Sequence, residues 1–421
     1  MFIEDSRCAL RVFLIVLDGV ADRPSPKIKL MTPLQYAHKP SIDLLAAGGV
    51  TGIMDPVAPG IPVGSDTGHL ALLGYDPRVY YTGRGPLEAL GAGIDLQPMD
   101  IAFRCNFATV SDDWTVVDRR AGRISDEEAE QLSSVLVDLS NKLSLAAEVI
   151  FKHTVEHRGV LVLRGDNLSE KVSDVDPHRE GVKVQMPRPT DGSENARRTS
   201  DILKEFLIKS KEILENHPIN VERRRRGQKI ANALLPRGAG RLPNLPSIIE
   251  RFGINGAVVA GGAIYKGVCK AAGMDVINAP GATGTINTDL ESKFRTAIDA
   301  LSKYGFVLLH IKGTDSASHD KNPELKARFI EKVDLTLGKY LDKIPSDIII
   351  CLTGDHTTCS TVGEHKGDPV PILIHGQGVR IDEIDRFDEF ACSKGGLGRI
   401  RGLDVLNILF DLANITKMYG E

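Results

Sequence analysis

The histidines of this chain are concentrated in one segment, together with acidic residues. Five of the eleven histidines fall between residues 310 and 375. These histidines and the acidic residues beside them are His310, Asp315, His319, Asp355, His356, Glu364, His365 and His375. Carboxylate oxygens combined with imidazole nitrogens suit Mn²⁺, Co²⁺, Zn²⁺ or Mg²⁺. The segment therefore predicts a site for divalent metal ions.

Spacing within the segment supports that prediction. Asp315 and His319 are four residues apart, so one helical turn would place them on the same face. Asp355 and His356 are adjacent, and a loop beyond the end of a strand would let both converge. Either pair alone is also compatible with an exposed ion pair or an ordinary loop. Because both follow apolar runs, and ligands of open α/β sheets collect at the carboxyl ends of strands, we favour the metal site.

Two residues in the N-terminal part could contribute to the same chemistry. Asp18 follows the first apolar run, and Ser65 lies within the sequence Gly-Ser-Asp-Thr-Gly-His. A turn residue and a helix cap are the simpler interpretations of the two. A serine at a helix N-terminus, however, faces unpaired backbone N–H groups that favour an alkoxide or a bound phosphate. Since no histidine base for Ser65 is evident from spacing, we predict that a metal ion activates its hydroxyl.

The residues that surround these candidates predict an α/β fold. Short apolar runs at 12–17, 306–309 and 348–352 are typical of strands buried on both faces of a parallel sheet. Apolar stripes at helical spacing occupy 290–301 and 325–341. Alternation of such strands and helices indicates a wound sheet covered by helices.

The middle of the chain has a different pattern, which predicts an inserted domain. It carries the alternation of Phe103, Cys105 and Phe107, a helix near 127–143, a strand at 160–163, a second helix near 202–214 and the basic run 223–226. The basic run is interpreted as a solvated helix face. Glycine-rich passages at 83–86 and 236–240 are plausible hinges. We predict one domain formed by 1–92 and 242–421, with a smaller α/β domain inserted at 93–241.

Composition restricts the class of protein. The 421 residues are 42% hydrophobic and carry a net charge of −4, which excludes a disordered chain and argues against nucleic acid as a partner. The six cysteines are widely separated and are expected to be reduced thiols. The N-terminal apolar run is far shorter than the ~20 residues that a membrane span needs. We therefore expect a cytoplasmic protein without a membrane partner.

Five motifs in a fixed order carry a resemblance to a known family. They are Asp18-Gly19-Val20, Gly64-Ser65-Asp66-Thr67-Gly68-His69, Asp315-Ser316-Ala317-Ser318-His319-Asp320, Thr353-Gly354-Asp355-His356 and His365-Lys366-Gly367-Asp368-Pro369-Val370-Pro371. Together they resemble the alkaline phosphatase superfamily and, more narrowly, the archaeal-type 2,3-bisphosphoglycerate-independent phosphoglycerate mutases, nearly end to end. The resemblance implies an alkaline-phosphatase-like wound sheet flanked by helices, with the smaller domain inserted.

The resemblance also implies a mechanism with two divalent metal ions. One ion would be held by Asp315, His319 and His365, and the other by Asp18, Ser65, Asp355 and His356. Ser65 would attack the substrate phosphorus and become a phosphoserine, and the reoriented glycerate would recover the phosphoryl group on its other hydroxyl. The reaction would interconvert 3-phosphoglycerate and 2-phosphoglycerate, and no free 2,3-bisphosphoglycerate would be required.

A mutase must also retain its glycerate and exclude water, which gives the inserted domain a role in binding substrate. Guanidinium groups and imidazole are suited to the carboxylate and hydroxyls of a small acid. The candidates in this domain are Arg104, Arg123, His157, Arg158, Asp176 and Arg237. In the metal domain, Lys266 and Lys312 are candidate phosphate contacts.

Other functions remain compatible with these residues. A metal-dependent phosphomonoesterase or phosphonate hydrolase would use the same Ser65 and the same ligands, and would differ by releasing phosphate. A sulfatase is disfavoured because the serine lacks the Cys/Ser-x-Pro-x-Arg context. A non-catalytic protein that binds phosphate or metal would need no nucleophile, so replacing Ser65 would leave its activity unchanged.

Overall fold

The computed structural model describes residues 10–142, 146–418 and 420. Its strands, in chain order, are β1 (Arg11–Leu17), β2 (Gly49–Asp55), β3 (Ile101–Val110), β4 (Val116–Asp118), β5 (Glu148–Val155), β6 (Arg158–Arg164), β7 (Ala233–Gly240), β8 (Gly256–Val259), β9 (Asp275–Val276), β10 (Phe306–Ile311), β11 (Ile348–Thr353), β12 (Thr357–Cys359), β13 (Glu364–Lys366), β14 (Val370–His375) and β15 (Gly398–Arg401). Its α-helices are α1 (Pro33–Tyr36), α2 (Pro40–Ala47), α3 (Ser65–Leu72), α4 (Pro77–Tyr80), α5 (Arg84–Gly91), α6 (Asp126–Lys142), α7 (Glu194–Glu215), α8 (Pro218–Arg225), α9 (Ile248–Phe252), α10 (Ala263–Ala271), α11 (Leu290–Ala300), α12 (Gly313–His319), α13 (Pro323–Gly338), α14 (Glu389–Cys392) and α15 (Gly402–Leu412).

The chain divides into two compact units. Unit 1 comprises the chain up to Tyr81 and again from Leu245, and unit 2 comprises Thr82–Asn244. Unit 1 contains an eight-stranded sheet in the order β15-β2-β14-β11-β1-β10-β8-β9. β1 runs parallel to β10 on one side and to β11 on the other, and all three strands are almost wholly buried. Burial on both faces explains their uninterrupted apolar sequences, and the predicted α/β class is confirmed.

The parallel arrangement brings the ends of three strands to one edge of the sheet. Asp18 follows β1 directly, Lys312 follows β10 and leads into α12, and Asp355 lies just beyond β11. Because neighbouring parallel strands end together, these residues are brought close although Asp18 is hundreds of positions from the other two in sequence.

His375, the last of the five clustered histidines, lies apart from the predicted metal ligands. It ends β14, which is antiparallel to β11, and it pairs with Ile350 near the beginning of that strand. An antiparallel strand ends at the opposite edge of the sheet. His375 therefore lies away from the edge that carries Asp355.

Unit 2 is built on a separate antiparallel sheet. Its five strands are arranged as β4-β3-β6-β5, with β7 paired to the other side of β3. All ten positions of β3 are buried, and Phe103, Cys105 and Phe107 belong to one core with residues of α6 and α7. The alternation seen in the sequence therefore marks a central strand of this sheet.

The units divide at different residues from those predicted. Unit 2 begins at Thr82 rather than at residue 93, because α5 packs against β3 and β7. Gly85 makes this packing possible, since an added Cβ would stand 2.1 Å from the carbonyl oxygen of Ala102. At its other end, unit 2 extends to Asn244 rather than to residue 241.

Most predicted helices occur close to their predicted positions. The helix predicted at 127–143 is α6, whose last predicted residue, Leu143, lies outside the described residues. The basic run covers the end of α8 and its C-cap, and its arginines pair with glutamates. Residues 224–226 are exposed as predicted, but Arg223 is buried. The five cysteines in the described ranges are free, and Cys8 lies outside those ranges.

No helix among the described residues combines the length and the apolar character that a membrane span requires.

Candidate metal centre and guanidinium cluster

One group of predicted ligands surrounds His356 in unit 1. His356 Nε2 lies 3.2 Å from Ser65 Oγ, 3.3 Å from Asp18 Oδ1 and 3.5 Å from Asp355 Oδ2. Asp18, Asp355 and His356 are completely buried, and Ser65 is 6% exposed. The structure thus brings four predicted residues from both ends of the chain to one point.

A second group surrounds Asp315. His319 Nε2 is 3.3 Å and His365 Nε2 is 3.5 Å from Asp315 Oδ1, and the two Nε2 atoms are 3.3 Å apart. His365 also stacks on His356 with ring centroids 3.9 Å apart. Potential ligand atoms of Asp315, His356 and His365 lie within 4.8 Å of one another, as do those of Asp18, Asp355 and His356. The two groups are therefore adjacent and meet at His356.

The histidines of the second group are oriented through their other ring nitrogens. His319 Nδ1 donates to the carbonyl oxygen of Gly363 at 2.8 Å, and His365 Nδ1 donates to that of Val63 at 2.8 Å. A proton held on Nδ1 leaves the lone pair of a neutral imidazole on Nε2. Both Nε2 atoms then lie beside Asp315 Oδ1, where all three atoms could bind one cation. Metal-binding histidines are usually held in this way through the other ring nitrogen.

The donor set of the two groups fits divalent metal ions. Among the described residues, Asp18 Oδ1 and Asp355 Oδ2 are buried without a hydrogen-bond partner. Buried carboxylate oxygens rarely remain unsatisfied, because the cost of desolvating them is not recovered. A cation bound between these oxygens and His356 Nε2 would satisfy them, and mixed oxygen and nitrogen donors suit Mn²⁺, Co²⁺, Zn²⁺ and Mg²⁺.

Lys312 links the two carboxylates at the centre of the site. Its Nζ donates to Asp315 Oδ2 at 2.7 Å and to Asp18 Oδ2 at 3.4 Å. Burial alone raises the pKa of both carboxyl groups, but the Lys312 ammonium and nearby histidines bring each pKa well below its usual value. Both groups are consequently carboxylates, the form that binds metal. Lys266, the other predicted phosphate contact, donates to Asn278 at 2.9 Å.

Ser65 opens α3 and does not serve as its cap. Gly64 occupies the N-cap position and has no side-chain cap hydrogen bond. The hydroxyl of Ser65 is instead directed to His356 Nε2, a contact that sequence spacing did not reveal because the two residues are 291 positions apart. Burial lowers the pKa of His356, but Asp355 and Asp18 outweigh it and raise that pKa to about 9. Without a metal ion, Nε2 therefore carries a proton, and a cation bound there would replace it.

Two further buried histidines support the carboxylates. His310 Nε2 donates to Asp18 Oδ2 at 3.0 Å, and the ring of His310 stacks on Tyr265 at 3.5 Å. His69 Nδ1 donates to the carbonyl oxygen of Ser65 at 2.7 Å and lies 3.3 Å from Asp355 Oδ2. Burial lowers the pKa of His310 to about 4, so it is neutral at physiological pH. Neither histidine was predicted to hold a carboxylate.

Several predicted substrate-binding residues of unit 2 lie together on adjacent strands. Arg104 on β3 faces Arg237 on β7, and Asn106 on β3 faces Arg158 on β6. Like charges opposite one another on a sheet are destabilising, and Glu88 of α5 offsets them. Its Oε1 accepts from Arg84 Nε at 2.8 Å and lies 3.2 Å from an Arg104 nitrogen.

The guanidinium cluster consists of Arg84, Arg104, Arg158 and Arg237. Burial raises the pKa of Glu88, but Arg104 and Arg84 outweigh it and bring that pKa to about 2. Burial and the neighbouring arginines lower the pKa of Arg104 to about 9. Within the described part of the chain, the Nε atoms of Arg104, Arg158 and Arg237 are buried without a hydrogen-bond partner. The cluster has more positive than negative charge, which favours an anionic ligand.

The remaining candidates of unit 2 lie beside this cluster. Burial and the surrounding arginines lower the pKa of His157 to about 3, so its imidazole is neutral. Asp176 accepts hydrogen bonds from two nitrogens of the Arg119 guanidinium, at 2.8 and 2.7 Å, and lies 3.6 Å from Arg237 Nε. Asp176 therefore holds guanidinium groups in place. Arg123 lines a surface pocket of about 440 Å³, and Arg120 and Arg179 line the same pocket.

Comparison with known proteins identifies the family. Residues 46–220 match the family model described as 2,3-bisphosphoglycerate-independent phosphoglycerate mutase. The chain is 48% identical over 408 residues to 2,3-bisphosphoglycerate-independent phosphoglycerate mutase 1 of Methanocaldococcus jannaschii, covering 97% of this chain and 98% of the relative. Its identity to the enzyme of the same name from Archaeoglobus fulgidus is 49% over 414 residues, with 97% and 99% covered.

Solved structures agree with the sequence comparison. A protein from Pyrococcus horikoshii superimposes with a TM-score of 0.85 at 40% identity, covering 98% of this chain and 100% of the other. The cofactor-independent phosphoglycerate mutase from Thermoplasma acidophilum superimposes with a TM-score of 0.68 at 40% identity, covering 96% and 100%. Similarity at this level over nearly the full length, together with the ordered motifs, shows that the chain belongs to the 2,3-bisphosphoglycerate-independent phosphoglycerate mutase family of enzymes.

Proposed function

We propose that this protein interconverts 3-phosphoglycerate and 2-phosphoglycerate through a phosphoserine on Ser65. The observation that carries the proposal is the position of Ser65 Oγ, 3.2 Å from His356 Nε2 and at the first residue of α3. The hydroxyl stands beside two groups of oxygen and nitrogen donors, and the N-terminal N–H groups of α3 favour negative charge. These are the elements needed for transfer of a phosphoryl group to a serine.

In this proposal, Asp315, His319 and His365 hold one divalent ion, and Asp18, Ser65, Asp355 and His356 hold the other. When bound, the ions would lower the pKa of the Ser65 hydroxyl and neutralise charge on the phosphoryl oxygens. Unit 1 would thus be the metal domain, and it offers Lys312 and Lys266 as ammonium groups for the phosphate.

The reaction balances without a further reactant. Ser65 loses its proton and its Oγ forms a bond to phosphorus, while the bond from phosphorus to the substrate oxygen breaks and that oxygen takes up the proton. The other hydroxyl of the retained glycerate then loses its proton and attacks the phosphoserine, the bond from phosphorus to Oγ breaks, and Ser65 Oγ takes up that proton. Because the phosphoryl group remains on the protein between the two steps, no free 2,3-bisphosphoglycerate is required.

Unit 2 would bind the glycerate part of the substrate. Its guanidinium cluster can donate paired hydrogen bonds to a carboxylate, and neutral His157 can hydrogen-bond a hydroxyl. Arg123, Arg158 and Arg237 are proposed contacts, whereas Asp176 is proposed to hold Arg119 and Arg237 in position. Retention of glycerate is what distinguishes a mutase from a phosphatase with the same metal centre.

The test is an enolase-coupled assay of 3-phosphoglycerate without added bisphosphoglycerate. The protein would be treated with a chelator and then supplied with Mn²⁺, Co²⁺, Zn²⁺ or Mg²⁺ separately. We expect activity to be lost and restored, and Ser65→Ala to lower kcat/KM by roughly 10³-fold or more. Release of free phosphate without 2-phosphoglycerate would instead indicate a phosphomonoesterase. Unchanged activity of Ser65→Ala would exclude the serine nucleophile.

A further inference from the structure

Thr358 touches a ligand from each of the two groups of the candidate metal centre. Its Oγ1 donates to Asp315 Oδ1 at 2.9 Å and lies 3.0 Å from His356 Nδ1. Thr358 is completely buried on β12. It follows His356 by two residues but reaches Asp315 across 43 positions of sequence.

Only one placement of the hydrogen atoms satisfies both contacts of the Thr358 hydroxyl. The Asp315 carboxylate, which also accepts from Lys312, can only accept from Thr358. A hydroxyl has a single proton, so Thr358 must accept at its other contact, and His356 Nδ1 must carry the N–H. The Nε2 atom of His356 is thereby left directed to Ser65, Asp18 and Asp355.

The surrounding backbone is shaped around this hydroxyl. Gly19 has φ of +59°, and a Cβ at this position would stand 2.3 Å from Thr358 Oγ1. The Gly19 N–H donates to Asp355 Oδ1 at 3.0 Å. The carbonyl oxygen of Thr358 accepts from the buried Lys326 at 3.0 Å. The side chain and the backbone of Thr358 are therefore both fixed.

We infer that Thr358 is a positioning residue shared by the two metal groups, which orients His356 and Asp315 for their ions together. Hydroxyl and carbonyl partners of metal ligands set ring orientation, and their removal typically weakens metal binding by 10- to 100-fold. Because one hydroxyl contacts a ligand of each group, its loss should weaken both ions rather than one. This inference rests on the metal centre of the proposed function.

The test compares Thr358→Val, Thr358→Ser and Thr357→Val. Valine keeps the shape of threonine without its hydroxyl, and serine keeps the hydroxyl. Thr357 is the matched control because it is also buried on β12, and its Oγ1 donates at 2.9 Å to the carbonyl oxygen of Asp368, which is not a predicted ligand. Mn²⁺ binding to the chelator-treated full chain would be measured by calorimetry, and the Co²⁺-loaded protein by its visible spectrum.

We expect Thr358→Val to weaken the binding of both Mn²⁺ ions by about 10- to 100-fold and to change the visible absorption bands of the Co²⁺-loaded protein. Thr358→Ser and Thr357→Val should retain wild-type affinity and spectrum. Wild-type binding by Thr358→Val, weakening of only one ion, or an equal loss in Thr357→Val would overturn the inference. These readouts do not depend on turnover. A wild-type protein that binds two ions but fails the enolase-coupled assay would reject the proposed function and leave this inference standing.

Discussion

Lys326 is a buried ammonium group whose three protons all have acceptors. Its Nζ donates to the carbonyl oxygens of Ala21 and Thr358 at 3.1 and 3.0 Å, and to Asp22 Oδ2 at 2.9 Å. Lys326 and Asp22 both have fully buried side chains. The pair connects the loop after β1 to strand β12, which carries Thr358, so it stabilises the framework of the candidate metal centre.

Replacing Lys326 by methionine should therefore destabilise the protein strongly. The Asp22 carboxylate would remain buried without its counter-ion, at a cost of about 3–5 kcal/mol. Denaturant unfolding of Lys326→Met against wild type measures the effect. Lys339→Met is the control, since Lys339 pairs with Glu291 at the surface, where the loss of an ion pair changes stability little. Similar losses in both variants would contradict the prediction.

Glu88 is expected to control the affinity for substrate. Glutamine keeps an acceptor oxygen but not the charge, so it holds Arg84 and Arg104 more weakly. We therefore expect Glu88→Gln to raise the KM for phosphoglycerate by about tenfold. Steady-state kinetics in the coupled assay would measure KM and kcat separately. Glu222→Gln removes a carboxylate that pairs with Arg225 and Arg226 on exposed α8, and should leave both constants unchanged. An unaltered KM in Glu88→Gln would refute this role.

The residues whose contacts were not predicted from the sequence share one property. Thr358, His69, His310 and Glu88 bind partners that the fold brings close, and none belongs to a recognisable metal-ligand spacing. Asp315 and His319 could be paired from sequence because one helical turn joins them. His69 carried a weak signal, since it stands four residues after Ser65 on the predicted helix. Glu88 also carried a weak signal, since it stands four residues after Arg84 on α5, but its contact with Arg104 depends on the packing of α5 against β3.

At the level of elements, the three central strands were predictable because burial on both faces requires continuous apolar runs. Strand direction was not predictable from the same runs, and β14, which ends at His375, is antiparallel to β11. The boundary of unit 2 was also misplaced. Nothing in the sequence of α5 distinguishes packing on β3 from packing on the other sheet, so that choice depends on tertiary contacts.

Glu389, the first residue of the short helix α14, is expected to make the stability of the protein depend on pH. Glu389 Oε2 accepts from Thr32 at 2.6 Å, and its Oε1 accepts from the backbone N–H of Asp22 at 3.0 Å. Burial raises the pKa of Glu389 to about 7. A raised pKa means that the folded protein binds the Glu389 proton more tightly than the unfolded chain does. The stabilisation that this proton gives is complete below the ordinary pKa near 4.5 and is lost as pH rises through 7.

Glu389→Gln should remove this dependence, because glutamine resembles the protonated acid. Relative to the variant, wild type should lose roughly 1–3 kcal/mol of stability between pH 5 and pH 8. Unfolding of both proteins at each pH provides the measurement, and the exposed Glu383→Gln serves as control. A constant difference between wild type and Glu389→Gln across this range would show that Glu389 does not titrate as expected.

At the level of the whole molecule, each unit has a core of its own. Leu161 of β6 is fully buried in the core of unit 2, and Leu308 of β10 is fully buried in unit 1. Removal of a buried leucine side chain typically costs 2–5 kcal/mol, and compact units often open separately. We expect Leu161→Ala to reduce amide protection within unit 2, and Leu308→Ala to reduce it within unit 1.

Native-state hydrogen exchange with mass spectrometry would locate the change in each variant. Peptides from β10 and β11 should retain wild-type protection in Leu161→Ala, and peptides from β3 and β6 should retain it in Leu308→Ala. Uniform loss over both units in either variant would show that the chain opens as one cooperative body.

The position of β1 has a consequence for biosynthesis. This strand lies between β10 and β11 in the finished sheet, and both partners follow the whole of unit 2 along the chain. During translation its apolar side chains leave the ribosome long before either neighbour exists, whereas unit 2 is one continuous segment that can fold as soon as it emerges. The nascent protein must therefore keep an unpaired hydrophobic strand from aggregating until synthesis is almost complete.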